Sequence, residues 1–461
     1  MMVEQLREIV GEAFVSVAEA DRKQHGKDQS DLALHLPDVV VWPQSTEEVS
    51  AILRFAHIQQ IPVTAWGAGT SLEGNPMALH GGICLDMGRM NQILQVHELD
   101  FQVAVQPGIL YKDMNKQLAA YGLFFAPDPG ANASVGGMLA NNAAGIRTVK
   151  YGATRDNVLA LKVVLANGEV IHTGSRSVKQ SAGYDLTHLF VGSEGTLGII
   201  TAATLKLAPL PQFFSAATVA FTDVGYAAQA VFDLMASGLE PTALELLGDT
   251  AVSILNSEPE INLAEGPNLF LEFNGASEVT LQETMQLAEE ICRENGCVDY
   301  RAGIGRDARA QLWEARHRLF EVMVRHHAGQ AYAVTDVAVP ISNYPQLVSQ
   351  TAEIIAMHGI TGHLIGHAGD GNLHTTLFFD GADTADKTHI EQAKAEMVEL
   401  ALSLNGTCTG EHGVGVGKRP YMLAEHGAGA IHLMRLLKKT LDPQNILNPG
   451  KVLPSLDETN E

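Results

Sequence analysis

The sequence predicts an α+β protein of more than one domain, and three observations carry that prediction. Short apolar strands alternate with amphipathic helices along most of the chain. Three stretches dense in Gly, Ala, Ser and Asn sit beside strands between residues 67 and 200. The texture then changes at Pro209-Leu210-Pro211, after which strand and helix alternate again, as in a separate α+β domain.

Residues 39–42 read as a strand. Ser45-Thr46-Glu47-Glu48 is a capping box, followed by helical spacing of Val49, Ile52, Leu53 and Ala56. The next strand, 61–66, ends in Gly67-Ala68-Gly69-Thr70-Ser71-Leu72-Glu73-Gly74-Asn75. This is not the GxGxxG dinucleotide fingerprint: the third glycine comes too late, and Pro76 and Gly81-Gly82 follow where a helix should begin. The loop can form a backbone nest for phosphate oxygens, although alone such a loop is more often a tight turn. Further strands are expected at 83–85, 101–105, 161–165 and, after Asn167-Gly168, at 170–171. The second small-residue stretch runs from Pro127-Asp128 through Ser134, Gly136 and Gly137 to Asn141-Asn142 and Gly145. The third runs from Gly192 to Ile200. Three such places, where backbone must approach something closely, suit a long ligand lying extended along the fold.

Beyond residue 211, strands are expected at 217–221 and 269–273, with helices at 224–237 and 278–295. This half carries Trp313, Arg316 and His317, and then Gly362-His363-Leu364-Ile365-Gly366-His367-Ala368-Gly369-Asp370-Gly371-Asn372-Leu373-His374. As a helix that stretch would hold His367 and His374 roughly 10 Å apart along the axis, and its glycines oppose a helix. As a hairpin turning at Asp370-Gly371 it would set the two imidazoles opposite each other, with Cβ atoms about 5 Å apart. Gly410-Glu411-His412-Gly413-Val414-Gly415 adds a carboxylate and another imidazole. Two His and one Glu around an open position form the ligand set of a catalytic metal, and also of the non-haem iron oxygenase triad. The closing stretch, Leu441 through Asn448-Pro449-Gly450-Lys451, ends a helix and docks back on the first domain. His363 is expected as a packed residue, Trp313 as core or pocket wall, and Glu245 as a strand-edge acid, with a place facing the ligand site as its alternative. Taken without a family pattern, Arg316 would pair with Glu314 or Glu321.

The chain has 461 residues, enough for two or three domains, and a formal net charge of -23. That field disfavours nucleic acid and anionic lipid, so a small anionic substrate would need a local cationic pocket. Cys84, Cys292, Cys297 and Cys408 show neither CxxC nor framework spacing, which fits a reducing compartment. The N-terminus reads as an amphipathic helix carrying acids, not a signal peptide, and no apolar run has membrane-spanning length. The expected location is cytoplasmic, with membrane contact at most peripheral to the inner face.

Gly366-His367-Ala368-Gly369-Asp370-Gly371-Asn372, Gly410-Glu411-His412-Gly413 and Asn448-Pro449-Gly450-Lys451 together resemble the flavin-linked oxidases and dehydrogenases of the vanillyl-alcohol-oxidase type. Within them the chain is similar to the branch of cytochrome-linked D-lactate dehydrogenases, the glycolate oxidase flavin subunit and D-2-hydroxyglutarate dehydrogenase, from about residue 35 onward. The resemblance implies a two-subdomain FAD-binding domain (1–211), an α+β cap domain with an antiparallel sheet and the metal site (212–420), and a C-terminal segment (421–461) returning to the first. It implies FAD contacts by Trp66, Gly67, Ala68, Gly69, Thr70, Ser71, Gly74 and Asn75 at the pyrophosphate. Pro127, Asp128, Ser134, Gly136, Gly137 and Asn141 would lie along the ribityl chain and isoalloxazine. Gly192, Glu194, Gly195, Gly198 and Ile200 would serve the adenosine side, and Asn448 the flavin edge. His367, His374 and Glu411 match the ligands of a divalent metal (Zn, Mn or Fe) and His412 the catalytic base. Arg316 matches the partner of the substrate carboxylate, and Asn372 counts with the catalytic residues.

Thr70 stands where covalently flavinylated members place a His, which implies non-covalent FAD. Asp336 stands in the segment where hydroxyglutarate enzymes carry a lysine, and would repel a second carboxylate. The expected reaction is therefore FAD- and metal-dependent oxidation of a D-lactate-like monocarboxylate to the 2-oxo acid, with D-2-hydroxyglutarate or glycolate as alternative substrates. Electrons would pass to a cytochrome, a quinone or an electron-transfer protein, and a homodimer is one assembly the sequence allows.

Overall fold

The computed structural model describes residues 2–455, with the side chains of Ala308, Gln311, Leu312 and His317 outside the description. The chain forms two compact units. The first comprises Met1–Ala144, Gly152–Leu210 and Glu411–Glu461, and the second Gly145–Tyr151 and Pro211–Gly410. The second unit ends at Gly410 rather than at 420, so Glu411 and His412 belong to the first.

In the first unit, Val39–Val41 and Val63–Trp66 each run parallel to Ile83–Asp86, and Val15–Ser16 adds an antiparallel edge. Parallel strands covered on both faces must be apolar on both sides, and Val39, Val40, Val41, Ile83, Cys84 and Leu85 are fully buried. The helix Thr46–Gln59 starts where its capping residues put it: the Ser45 hydroxyl accepts from the Glu48 amide at 3.2 Å. It turns Val49, Ile52, Leu53 and Ala56 inward. A five-stranded antiparallel sheet follows, in the order Ile93–His97, Gln102–Val105, Ile199–Lys206, Val158–Val164 and Val170–Gly174. The C-terminal stretch returns to the first sheet, with the Val63 amide donating to Ile446 O at 2.7 Å and the Asn448 amide to Val63 O at 2.8 Å.

The second unit is built on a seven-stranded antiparallel sheet. Its order is Asp299–Ile304, Phe213–Ala220, Asn268–Gly275, Ala243–Leu247, Thr361–Gly366, Asn372–Phe379 and Ala331–Ala338. Alternation divides its two faces. Leu377 and Phe379 pack with Ile390 and Met397 of the helix Thr384–Ser403, whereas Phe378, Ile365, Ala243 and Leu247 pack with Trp313, Leu319 and Met323 of the helix Arg306–His326. By the same alternation Glu245, His363 and His374 belong to the face under Arg306–His326, and Asp336 joins them because it lies directly opposite His374. Glu245 therefore sits on a central strand, not at the edge the sequence suggested.

The histidine hairpin forms in a different register from the one expected. Ile365, rather than His367, lies opposite His374. Ala368–Asp370 is a 3-10 turn closed by Gly371 at φ 72°, where a Cβ would collide with the Val339 carbonyl oxygen. Asp370-Gly371 thus ends a longer turn, and His367 takes the diagonal position relative to His374, still on the same face.

His363 is buried, with Nδ1 2.9 Å from Thr250 Oγ1 and Nε2 2.9 Å from His327 Nε2. Burial, helped by the neighbouring His327 and His326, holds its pKa down to about 4. Unfolding returns it to about 6.5, so between these values the unfolded chain binds more protons. Its contribution to stability is full above that range and is lost as pH falls through it. His363→Gln should therefore lose less stability than the parent between pH 7 and pH 5, by about 1–2 kcal/mol in chemical denaturation. Equal acid sensitivity would contradict this.

Candidate active site

The loops of the first unit converge through buried polar bonds. A Cβ on Gly67 would collide with Ser134 Oγ, so the stretch after Trp66 and the one around Ser134 lie against each other. Trp66 is buried beneath His25, ring centroids 5.0 Å apart. The same N-terminal segment holds the loop further on: Asp28 Oδ2 accepts from the Gly74 amide at 2.8 Å, and the Gln29 amide donates to Ser71 O at 2.9 Å. Asn75 Nδ2 donates to Glu194 Oε2 at 2.7 Å, and its Oδ1 is buried with no partner among the described residues. Asn448 Nδ2 donates to Asn75 O and Glu194 O at 3.0 and 2.8 Å, and Lys451 Nζ to Met77 O at 2.5 Å. Burial lowers Lys451 to about 8.

These loops grip the segment that carries His412. Asn141 Nδ2 donates to the His412 carbonyl at 3.1 Å, and Glu194 accepts the Val414 and Gly415 amides at 2.6 and 2.9 Å. Glu194 is fully enclosed, and burial raises its pKa against the pull of those donors. Its carboxylate faces protein donors. Gly198 likewise has an internal reason, since a Cβ there would lie 2.5 Å from Val163 Cγ1. Ala68, Gly69 and Thr70 lie on the first of these loops, Pro127 and Asp128 on the second and Gly192 and Gly195 on the third, whereas Gly136 and Gly137 open the helix Val135–Asn141 and Ile200 lies on the strand Ile199–Lys206.

In the second unit a row of charged and imidazole side chains crosses four adjacent strands. Glu245 Oε1 lies 2.6 Å from His367 Nδ1. The His367 and His374 rings stand edge to face with centroids 5.1 Å apart, and one nitrogen of each lies within 4.8 Å of the other. His374 Nδ1 is 3.6 Å from Asp336 Oδ1. Glu245 and Asp336 are fully buried. Asp336 also accepts from Asn372 Nδ2 and Thr409 Oγ1, each at 2.8 Å. Asn372 gives its remaining amide hydrogen to Val337 O at 3.0 Å, leaving a buried Oδ1 with no partner among the described residues. Asp336 is thus turned towards His374, Asn372 and Thr409.

Arg316 donates from Nε and Nη2 to Glu245 Oε2 at 2.9 and 2.7 Å. Glu314 and Glu321, the partners expected from spacing, pair instead with Arg318 and Arg325. Burial alone would raise the Glu245 carboxyl, but His367 and Arg316 outweigh it and hold it below its ordinary value. A histidine backed by a carboxylate at Nδ1, as His367 is by Glu245, is the usual preparation of imidazole for binding metal through Nε2, whereas Asp336 stands near His374 Nδ1 beyond hydrogen-bond range. The donor set fits a divalent cation. Gly410, the last residue of the second unit, presses so closely on Asn372 that a Cβ would collide with its amide, and Glu411 follows directly in the chain.

The sequence matches the C-terminal domain of FAD linked oxidases over residues 210–452 and an FAD binding domain over 37–174. The chain belongs to the FAD-linked oxidases. It is 42% identical over its whole length to the probable mitochondrial D-lactate dehydrogenase of Danio rerio, covering 93% of that protein. It is 37% identical to the glycolate oxidase subunit GlcD of Bacillus subtilis, with 97% of this chain and 96% of that one aligned. Among solved structures, 4-ethylphenol oxidase from Gulosibacter chungangensis superposes with a TM-score of 0.79 at 20% identity, covering 98% of this chain and 97% of that one. That likeness establishes the vanillyl-alcohol-oxidase-type fold. This FAD-linked oxidase is thus a flavin-dependent oxidoreductase, and its matched FAD binding domain falls in the first unit apart from residues 145–151. No helix among its described residues is long and apolar enough to cross a membrane.

Sequence reading overlooked Asp28, gave Lys451 no role of its own within its motif, and missed the pairing role of Glu245. A signal existed for the last: one acid within the apolar run Ala243-Leu244-Glu245-Leu246-Leu247 announces a buried charge that must be paired.

Proposed function

We propose that this FAD-linked oxidase converts a D-2-hydroxy monocarboxylate of the D-lactate type into the 2-oxo acid. The observation that carries the proposal is the pair His367 and His374, flanked by buried carboxylates, with Arg316 attached to one of them. The relatives named as D-lactate dehydrogenases support the substrate class.

When bound, FAD supplies the acceptor for the Cα hydride, and a divalent cation (Zn, Mn or Fe) supplies the positive charge that acidifies the substrate hydroxyl. His367, His374 and Glu411 would hold that cation. His412 takes the hydroxyl proton, because a neutral imidazole can remove it once its pKa has been lowered. Arg316 holds the substrate carboxylate: Nε and one Nη2 hydrogen are spent on Glu245, which leaves Nη1 and the other Nη2 hydrogen as a second fork edge. Asn372 contributes its unpaired buried oxygen to orientation. The flavin is non-covalent, since Thr70 offers no imidazole for attachment. Electrons leave to a cytochrome, a quinone or an electron-transfer protein, and the protein works in the cytoplasm or at the inner face of the membrane.

Mixing the purified holoprotein anaerobically with D- and L-2-hydroxy acids, with and without a second carboxylate, tests the substrate. D-lactate should bleach the flavin faster than L-lactate and faster than D-2-hydroxyglutarate. Preference for the dicarboxylate would replace the monocarboxylate reading.

A further inference from the structure

The helix Arg306–His326 inserts two arginines, two turns apart, against buried acids of the sheet. Arg309 Nε lies 2.6 Å from Glu272 Oε2, and stitching of helix to sheet accounts for that pair. Arg316 and Glu245 make the same stitch, but Glu245 has a further engagement. Its other oxygen lies 2.6 Å from His367 Nδ1, at 0% exposure. One enclosed carboxylate therefore serves both a guanidinium and an imidazole.

We propose that Glu245 is a positioning residue that couples Arg316 to His367, so that the demand Arg316 makes on the shared carboxylate sets how strongly His367 binds metal. The inference rests on the metal reading of His367 and His374. A carboxylate accepting Nδ1–H orients the ring and makes Nε2 a better ligand. A guanidinium drawing on the same carboxylate weakens that support, and the effect is strong where no water screens it. When Arg316 turns its free fork edge to a substrate carboxylate, its demand on Glu245 falls and His367 becomes the stronger ligand. By linkage, metal and a carboxylate anion then favour each other's binding.

The relay separates from simple charge repulsion between Arg316 and the ion in a double-mutant cycle. Purified flavoprotein is titrated with Mn²⁺ or Zn²⁺ in competition with a chromophoric chelator, for the parent, Glu245→Gln, Arg316→Met and the double variant. Glu245→Gln should weaken metal binding about 10–100-fold with the flavin spectrum unchanged. Arg316→Met should tighten it in the parent background and have a smaller effect once Glu245 is Gln. Glu245→Asp, which keeps the charge but shortens the reach, serves if the Gln variant does not fold, and should also weaken metal binding. Unaltered metal affinity on changing Glu245, or an Arg316 effect equal in both backgrounds, overturns the relay alone. A parent protein that takes up neither ion overturns the metal reading and the relay with it.

Discussion

His412→Asn is expected to retain bound FAD and to lose turnover by about 10²–10⁴-fold. The separation follows from how the loop is held. The His412 main chain is anchored by the Asn141 amide, and the following amides of Val414 and Gly415 by Glu194. None of these bonds uses the imidazole, so replacing the side chain removes the proton acceptor and leaves the anchors in place. Asn keeps a polar group of similar reach that cannot take a proton at neutral pH. Steady-state turnover, compared with the flavin absorbance of the same preparation, checks this. Near-parental turnover would remove His412 from the mechanism.

His374→Ala should abolish metal retention and lower activity by at least about 10²-fold, because an alcohol is far too weak an acid for an unaided imidazole. Flavin content should be unchanged, since His374 lies on the strand Asn372–Phe379 of the second unit, outside the matched FAD binding domain. Chelation of the parent enzyme should reproduce the loss, and added metal should reverse it. Elemental analysis of both preparations supplies the control. A chelator-resistant parent free of metal would contradict the proposed ligands.

Much of the fold was legible because its signals are local. The N-cap at Ser45 (although Glu48 takes the Gln44 amide, not the Ser45 amide a full capping box would use), the strand runs of Val39–Val41 and Ile83–Asp86, and the change of texture near Pro211 each state their structure within a few residues. The register of the histidine hairpin was not legible. Asp370-Gly371 is a favoured two-residue turn in isolation, but the Val339 carbonyl lying against Gly371 favours the longer one, and that carbonyl comes from a distant segment. Partners across the sheet were hidden for the same reason. Arg316 has Glu314 two residues before it and Glu321 five after it on the same helix, yet it takes Glu245, 71 residues away in sequence, because the buried carboxylate has more to gain from pairing than exposed ones do. The strap from Asp28 and Gln29 lay outside every motif, since a single acid capping a distant amide leaves no pattern in sequence.

The central claim is that the Cα hydride of a D-2-hydroxy acid passes to FAD bound in this protein. The most direct test is anaerobic stopped-flow mixing of the holoprotein with D-lactate and with D-lactate deuterated at Cα, following the oxidised-flavin absorbance. Loss of that absorbance in a single turnover, slowed several-fold by deuterium, is the expected result. A flavin that stays oxidised in the presence of metal and saturating D-lactate would contradict the account.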